Sequence, residues 1–137
     1  MTSLSLKSMI KPEQSAEIEF PGCEGFVVTL NYLGRERLAD IRKTCVTKKM
    51  IKGQLEESID FDKFNRLYSD AVIKGWSGLK LKYVSQMMLV DIPEGNSEED
   101  LLPYSPENAE ALLRNAGDFD AFVSATLGDL SNFTKRG

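Results

Sequence analysis

Histidine is absent from this sequence of 137 residues. Because histidine is the commonest general base and the commonest transition-metal ligand, its absence removes every Ser-His and Cys-His arrangement of catalytic groups. The only cysteines are Cys23 and Cys45, which in a reducing compartment normally remain free thiols. Most hydrolase chemistries are therefore excluded, and no disulfide framework is indicated.

Long apolar runs are also missing. No run approaches the roughly 20 residues that a membrane helix needs, and the amino end lacks the basic region, apolar stretch and cleavage site of a signal peptide. Hydrophobic residues make up 42% and charged residues 28%, which are ordinary proportions for a globular domain. The net charge of -4 does not favour nucleic acid as a partner. We expect one cytosolic domain over residues 1–137, with neither a membrane nor a nucleic-acid partner.

The first regular pattern along the chain is an alternation typical of β-strands. Apolar and polar residues alternate on both sides of a turn that contains Pro21, Gly22 and Gly25. The pattern predicts a β-hairpin over residues 15–33, with four side chains directed away from the core: Glu17, Glu19, Thr29 and Asn31. Residues 1–14 lack a clear period, so we interpret them as a flexible arm.

From residue 34 onward the apolar period becomes helical, and residues 34–137 are predicted to be a mainly helical region. The first predicted helix covers roughly 35–48, the second begins near Asp60 and ends before Gly75, and the third covers roughly 79–89. Two consecutive helices follow, and their predicted caps are Ser105 and Asp118. The apolar stripe of the second helix is predicted to begin at Phe61. Residues 49–59 are predicted to be a loop, with a short extended segment as the alternative, and residues 91–103 are predicted to be a turn-rich acidic loop. The fold class is therefore a small single α+β domain, in which an amino-terminal hairpin packs with about five helices.

No residue pattern predicts a catalytic centre, a cofactor or a metal site. The acidic loop that begins at Asp91 has oxygen ligands for calcium, but Pro93 occupies the third position of the ligand pattern. The glycine-containing turn at 21–25 leads into a strand, whereas a phosphate-binding loop leads into a helix. We therefore expect a protein that is not an enzyme; an enzyme that uses carboxylates alone is the alternative, although no pair has diagnostic spacing.

Positive charge is concentrated in one segment, and the carboxyl-terminal third is acidic. The basic residues of that segment are Arg35, Arg37, Arg42, Lys43, Lys48, Lys49 and Lys52. They are interpreted as solvated faces, as a nucleic-acid patch that lacks interleaved aromatics, or as one side of a head-to-tail contact between copies. Self-association therefore remains open.

The apolar stripe near the carboxyl terminus is the candidate partner-binding surface. Its residues follow helical spacing: Phe119, Phe122, Val123, Leu127, Leu130 and Phe133. The simplest interpretation is core packing. The alternative is that this helix, or the groove that it leaves, binds a helix of another protein.

Three strings of the sequence resemble the tail assembly chaperones of long-tailed, siphovirus-like bacteriophages: "FPGCEGFVVTLNYLGRERL", "YSDAVIKGWSGL" and "LPYSPENAEALLRNAGDFDAFVSATLGDL". The resemblance spans roughly residues 18–133 and carries over no binding residue. It implies a non-catalytic protein that keeps the long, helical tape measure protein soluble in the host cytoplasm and is absent from the mature virion. The tail tube protein is a second expected partner. The alternatives are a structural tail component, such as a tube, terminator or connector protein, and a small transcription regulator.

Overall fold

The amino-terminal alternation forms the predicted β-hairpin. In the computed structural model, which describes residues 3–134, strand β1 (Glu13–Glu19) pairs antiparallel with strand β2 (Val27–Leu33). Gly22 and Gly25 have φ angles of 85° and 83° in the connecting turn, a conformation that glycine adopts without strain. The predicted arm contains a short exposed helix, α1 (Leu6–Met9). Residues 1–2 of that arm and residues 135–137 of the predicted helical region lie outside the described residues.

Six further helices follow the hairpin within the described part of the chain. They are α2 (Arg35–Thr44), α3 (Phe61–Val72), α4 (Leu81–Met87), α5 (Pro106–Asn115), α6 (Gly117–Leu127) and α7 (Ser131–Thr134). Two predicted caps are confirmed, because Asp60 accepts a hydrogen bond from the amide of Lys63 and Ser105 accepts one from the amide of Asn108. The predicted cap at Asp118 is wrong, since Ala116 occupies the cap position of α6 and Asp118 lies in its first turn.

Two predicted boundaries also differ from the structure. Helix α2 ends at Thr44, because a strand begins two residues later, at Val46. The final apolar stripe is divided between two helices, since α6 ends at Leu127 and Gly128 follows it. Phe61, which was assigned to the buried stripe of α3, is exposed at the first position of that helix.

The predicted loop over 49–59 is wrong, because residues 46–59 form a second hairpin. Strand β3 (Val46–Ile51) pairs antiparallel with β4 (Gln54–Ile59), and the two residues between them, Lys52 and Gly53, have φ angles of 51° and 77°. Positive φ at both central residues is the mark of a tight hairpin turn. Every residue of both strands is exposed, so no burial pattern distinguishes the segment from a loop.

A fifth strand follows α3 directly, so residues 34–137 are less uniformly helical than predicted. Strand β5 (Ile73–Ser77) pairs with β2 and completes a sheet of order β1-β2-β5, with an irregularity between Thr29 and Leu30. Asn31, which was expected to point away from the core, is buried. Its Nδ2 donates to the carbonyl oxygen of Ala71 (3.0 Å), and its Oδ1 accepts from the hydroxyl of Ser15 (3.2 Å). These two hydrogen bonds satisfy the buried amide and link the sheet to α3.

The core lies between the three-stranded sheet and helices α3, α5 and α6. Its largest fully buried side chains are Phe26 and Phe119, whose ring centroids are 6.3 Å apart. Phe20 packs 5.6 Å from Phe26 and closes the turn of the first hairpin over this cluster. Cys23, in the same turn, is buried, and that burial raises the pKa of its thiol.

Candidate protein-binding surfaces

An open groove of about 630 Å³ runs between β1 and α6, and we call it the β1–α6 groove. Ile18 and Phe20 enter it from the β1 side, and Phe122 and Ala125 enter it from the helix. The rings of Phe20 and Phe122 are 4.9 Å apart, so the aromatic cluster of the core continues into the groove. Strand β1 is one of the two edge strands of the three-stranded sheet.

The polar residues that line the β1–α6 groove are acidic or neutral. Glu19 and Asp118 contribute carboxylates to the lining and Asp129 also lines it, while none of the lining residues within 3–134 is a lysine or arginine. Asp129 also accepts hydrogen bonds from the amide and hydroxyl of Ser131, the first residue of α7. An apolar groove flanked by carboxylates is complementary to an apolar stripe flanked by lysine or arginine.

The structure separates the six residues that sequence analysis selected as partner-binding. Phe119, Val123 and Phe133 are buried in the chain's own core, where Phe133 packs 5.6 Å from the ring of Tyr32. Leu127 is half-buried against the same core. Phe122 alone lines the groove, while Leu130 is 54% exposed and is not among the residues that line it.

Residues of the first hairpin make up the other wall of this groove and were not selected from the sequence. Because Ile18 and Phe20 alternate with Glu17 and Glu19, the hairpin pattern places them on the core face. That assignment is correct for Phe20, which is 8% exposed, whereas Ile18 is only half-buried. The position of β1 at the edge of the sheet accounts for this difference, because an edge strand has a neighbouring strand on one side only.

A second apolar pocket, of about 230 Å³, lies between α4 and α5. Val84 of α4, Met88 just after that helix, and Ala111 and Leu112 of α5 line it, and the segment from Val90 to Pro93 closes one end. We call it the α4–α5 pocket. It is smaller than the β1–α6 groove and provides a natural comparison in binding experiments.

The predicted acidic loop is tied to α4 by ion pairs. Glu99 contacts the ammonium groups of Lys80 and Lys82, each at 2.9 Å. These hydrogen bonds, with that of Lys80 the larger effect, lower the pKa of Glu99 from 4.5 to about 2. Asp100 accepts hydrogen bonds from the amide of Ser97 and from Asn96, which lower its pKa as well. These two carboxylates therefore hold the loop in place.

Residues 46–59 project from the domain as an exposed hairpin, which we call the β3–β4 arm. One face carries the cross-strand pairs Val46 with Ile59, Lys48 with Glu57, and Met50 with Leu55. Met50 and Leu55 at the tip are 68% and 59% exposed. The opposite face carries Lys49 opposite Glu56, Thr47 opposite Ser58, and Ile51 opposite Gln54.

Neither a metal-binding cluster nor a membrane-spanning helix occurs among residues 3–134. Within that range, no group of three or more cysteine, aspartate or glutamate residues is arranged to hold a metal ion. Nor does any helix of that range have the length and apolar character needed to cross a membrane.

Comparison with known proteins identifies a family. A family model described as "YdaY prophage protein" matches residues 35–136, which is most of the chain. The chain belongs to this family. It is therefore a phage-derived protein. No curated protein and no solved structure matches it.

The part that matches the YdaY prophage protein family begins at the first residue of α2. It contains the β3–β4 arm, the α4–α5 pocket and the helical side of the β1–α6 groove. Strand β1 precedes the matched residues, so the family match covers one of the two walls of that groove.

Proposed function

We propose that this YdaY-family protein is a non-catalytic tail assembly chaperone that binds the tape measure protein and keeps it soluble during tail assembly. It would act in the host cytoplasm and leave before the virion is complete, and the tail tube protein would be a second partner. The proposal agrees with the phage origin of the family and with the resemblance of the three sequence strings.

The β1–α6 groove is the observation that carries the proposal. A tape measure protein is long and helical, and unburied apolar stripes on such a protein aggregate. The groove presents Ile18, Phe20 and Phe122 to an apolar stripe and surrounds them with carboxylates. An apolar helix stripe with basic flanks would complement this lining in polarity and charge.

Modest affinity per groove suits this role. One chaperone must bind many similar segments and must be displaced when tube protein arrives, so strength comes from several copies along one partner. An open groove, rather than a deep pocket, supports such reversible binding.

The direct test is co-expression with the long helical protein encoded downstream, followed by sizing of the soluble fraction. We expect the partner to be soluble only in the presence of this chain and to elute with several copies of it. A partner that is equally soluble alone and never co-elutes would refute the chaperone role.

Matched variants identify which surface is used. Ala125 and Ala111 are both exposed helix residues, and they line the β1–α6 groove and the α4–α5 pocket, respectively. Ala125→Arg should abolish co-elution because the long side chain fills the groove, whereas Ala111→Arg should leave it intact. The reverse result would move the binding site to the α4–α5 pocket.

A structural tail component is the second candidate function, because it also fits a phage-derived protein. The two differ in the finished particle. Mass spectrometry of purified virions should find no copies of a chaperone, whereas a tube, terminator or connector protein would be present in fixed stoichiometry.

A further inference from the structure

The β3–β4 arm is a two-stranded sheet that lacks the support such sheets normally need. Isolated two-stranded hairpins are marginal in water, and stable ones pack a face against another element. Here both faces are exposed, and each of the twelve strand residues is exposed. Among the described residues, the arm is joined to the body chiefly at its base, where the amide of Asp60 donates to the carbonyl oxygen of Cys45 (2.8 Å).

The two faces of the arm differ in chemistry. One face, which we call the apolar arm face, consists of Val46, Ile59, Lys48, Glu57, Met50 and Leu55. Its apolar pairs lie at the base and at the tip, and the ion pair of Lys48 with Glu57 (3.7 Å) lies between them. Val46 and Ile59 are 36% and 43% exposed, so the body of the domain leaves this face open even at its base.

The apolar arm face is complementary to itself. When two copies pack face to face about a two-fold axis parallel to the strands, β3 of one copy lies over β4 of the other. Each apolar pair then lies over the same apolar pair of the other copy, and Lys48 lies over the other copy's Glu57. A two-fold axis across the strands instead places Lys48 over Lys48 and Glu57 over Glu57.

We propose that the β3–β4 arm is a self-association element, through which two copies of this chain pack their apolar arm faces together with strands aligned. Charge complementarity selects a second copy as the occupant, because the face carries one positive and one negative group at matching heights. A strongly basic or strongly acidic partner would be attracted to only one of the two charged groups of the apolar arm face and repelled by the other. The burial of Met50 and Leu55 stabilises the pair and supplies the packing that the hairpin lacks by itself.

A charge-swap mixture tests the proposal on the purified chain. Lys48→Glu alone places two carboxylates together in the paired arms, and Glu57→Lys alone places two ammonium groups together, so each variant should be monomeric where the wild type is dimeric. Mixed in equal amounts, the two variants restore both oppositely charged contacts. Sedimentation velocity should then show a 1:1 heterodimer.

A second pair of variants tests the apolar contribution. Met50→Thr combined with Leu55→Thr keeps a strand-favouring cross-strand pair but removes the apolar contact, and it should raise the dimer dissociation constant on the order of tenfold or more. The control is Lys49→Thr combined with Glu56→Thr, because that pair lies opposite on the other face. The control should leave the dissociation constant unchanged. Amide exchange of the core checks that all variants are folded.

Three results would overturn the proposal: a wild-type chain that remains monomeric at high concentration, a charge-swap mixture that associates no better than its components, or equal effects of the two threonine pairs. The experiment uses no partner protein. Its outcome is therefore independent of the co-expression test of the chaperone role.

Discussion

At the scale of single residues, Gly78 fixes the path of the chain between β5 and α4. Its φ angle is 75°, and a Cβ atom built on it would overlap the carbonyl oxygen of Gly25 in the first hairpin turn. We predict that Gly78→Ala lowers the free energy of unfolding by about 2 kcal/mol or more. Alanine is strained at this φ angle, and its Cβ would clash with the backbone of Gly25.

Gly75 is a control for both effects, because it lies three residues earlier, its φ angle is not positive, and a Cβ there meets no atom within 4 Å. Gly75→Ala should change the free energy of unfolding by less than about 0.5 kcal/mol. Urea denaturation of both variants measures the difference. Equal losses would show that neither the positive φ angle of Gly78 nor its contact with Gly25 matters for stability.

Glu99 gives stability a dependence on pH in the acid range. Its pKa is about 2 in the folded protein, below the 4.5 of an unperturbed glutamate, because Lys80 and Lys82 donate hydrogen bonds to it. A lowered folded-state pKa contributes stability that is fully present above about pH 4.5 and is lost as pH falls toward 2. We predict that Glu99→Gln removes this part of the pH dependence and speeds exchange of the amide of Leu81, which donates to the carbonyl oxygen of Asp100.

The neighbouring Glu98 is the control for that prediction. Glu98→Gln also removes one exposed carboxylate from the loop but leaves the contacts of Glu99 with both lysines intact. The unfolding midpoint, measured from pH 6 down to pH 2, should follow the wild-type curve for Glu98→Gln and a flatter curve for Glu99→Gln. Parallel curves for the two variants would contradict the role of the ion pairs.

At the scale of elements, helix α5 begins with two signals that act together. The hydroxyl of Ser105 accepts a hydrogen bond from the amide of Asn108 (3.0 Å), and Pro106 occupies the first turn with its φ already set. We predict that Ser105→Ala costs about 1 kcal/mol of stability, whereas Ser105→Thr, which keeps an oxygen acceptor, costs clearly less. Thermal unfolding of the two variants measures both values.

These local signals explain which elements were predictable from the sequence. Asp60 and Ser105 act on amides three residues away, and the alternation around the first hairpin reflects burial on one side, so neither depends on distant parts of the chain. The β3–β4 arm had no such signal. Its residues are exposed on both faces, and its turn uses Lys52 and Gly53 instead of the Asn-Gly or Asp-Gly pairs that usually identify hairpins.

Strand β5 was missed for a different reason. Ile73 follows the last residue of α3 without a connecting loop, and the strand exists because β2 offers an edge for pairing. Trp76 is fixed there by two later residues, since its Nε1 donates to the carbonyl oxygen of Leu102 (2.9 Å) and its ring lies 5.2 Å from that of Tyr104. Long-range contacts of this kind leave no local pattern in the sequence.

At the scale of the whole molecule, the predicted partner-binding stripe divides between the core and the surface. Helical spacing identified the apolar residues of α6 and α7, but spacing alone does not distinguish a buried position from one that lines a groove. Phe119 and Phe122 are three residues apart, yet only Phe122 lines the β1–α6 groove. The first hairpin decides this difference, because β1 ends beside the helix and leaves one side of it uncovered.

The charge of the groove yields a prediction that follows from the proposed function. Asp118 and Asp120 both lie in the first turn of α6, so replacing either one loses the same favourable interaction with the helix dipole. Of the two, Asp118 lines the β1–α6 groove and Asp120 lines a different part of the surface. Asp118→Asn should therefore weaken binding of a basic helical partner severalfold and reduce its dependence on salt, whereas Asp120→Asn should change neither.

Titration of a labelled partner segment at low and moderate salt measures both effects. The comparison is informative because the two variants have the same net charge, so a general electrostatic attraction between partner and protein would weaken equally in both. Equal weakening would mean that the partner responds to the acidic carboxyl-terminal third as a whole. A loss confined to Asp118→Asn would locate the basic flank of the partner beside Phe122, where the apolar lining and the carboxylates of the groove meet.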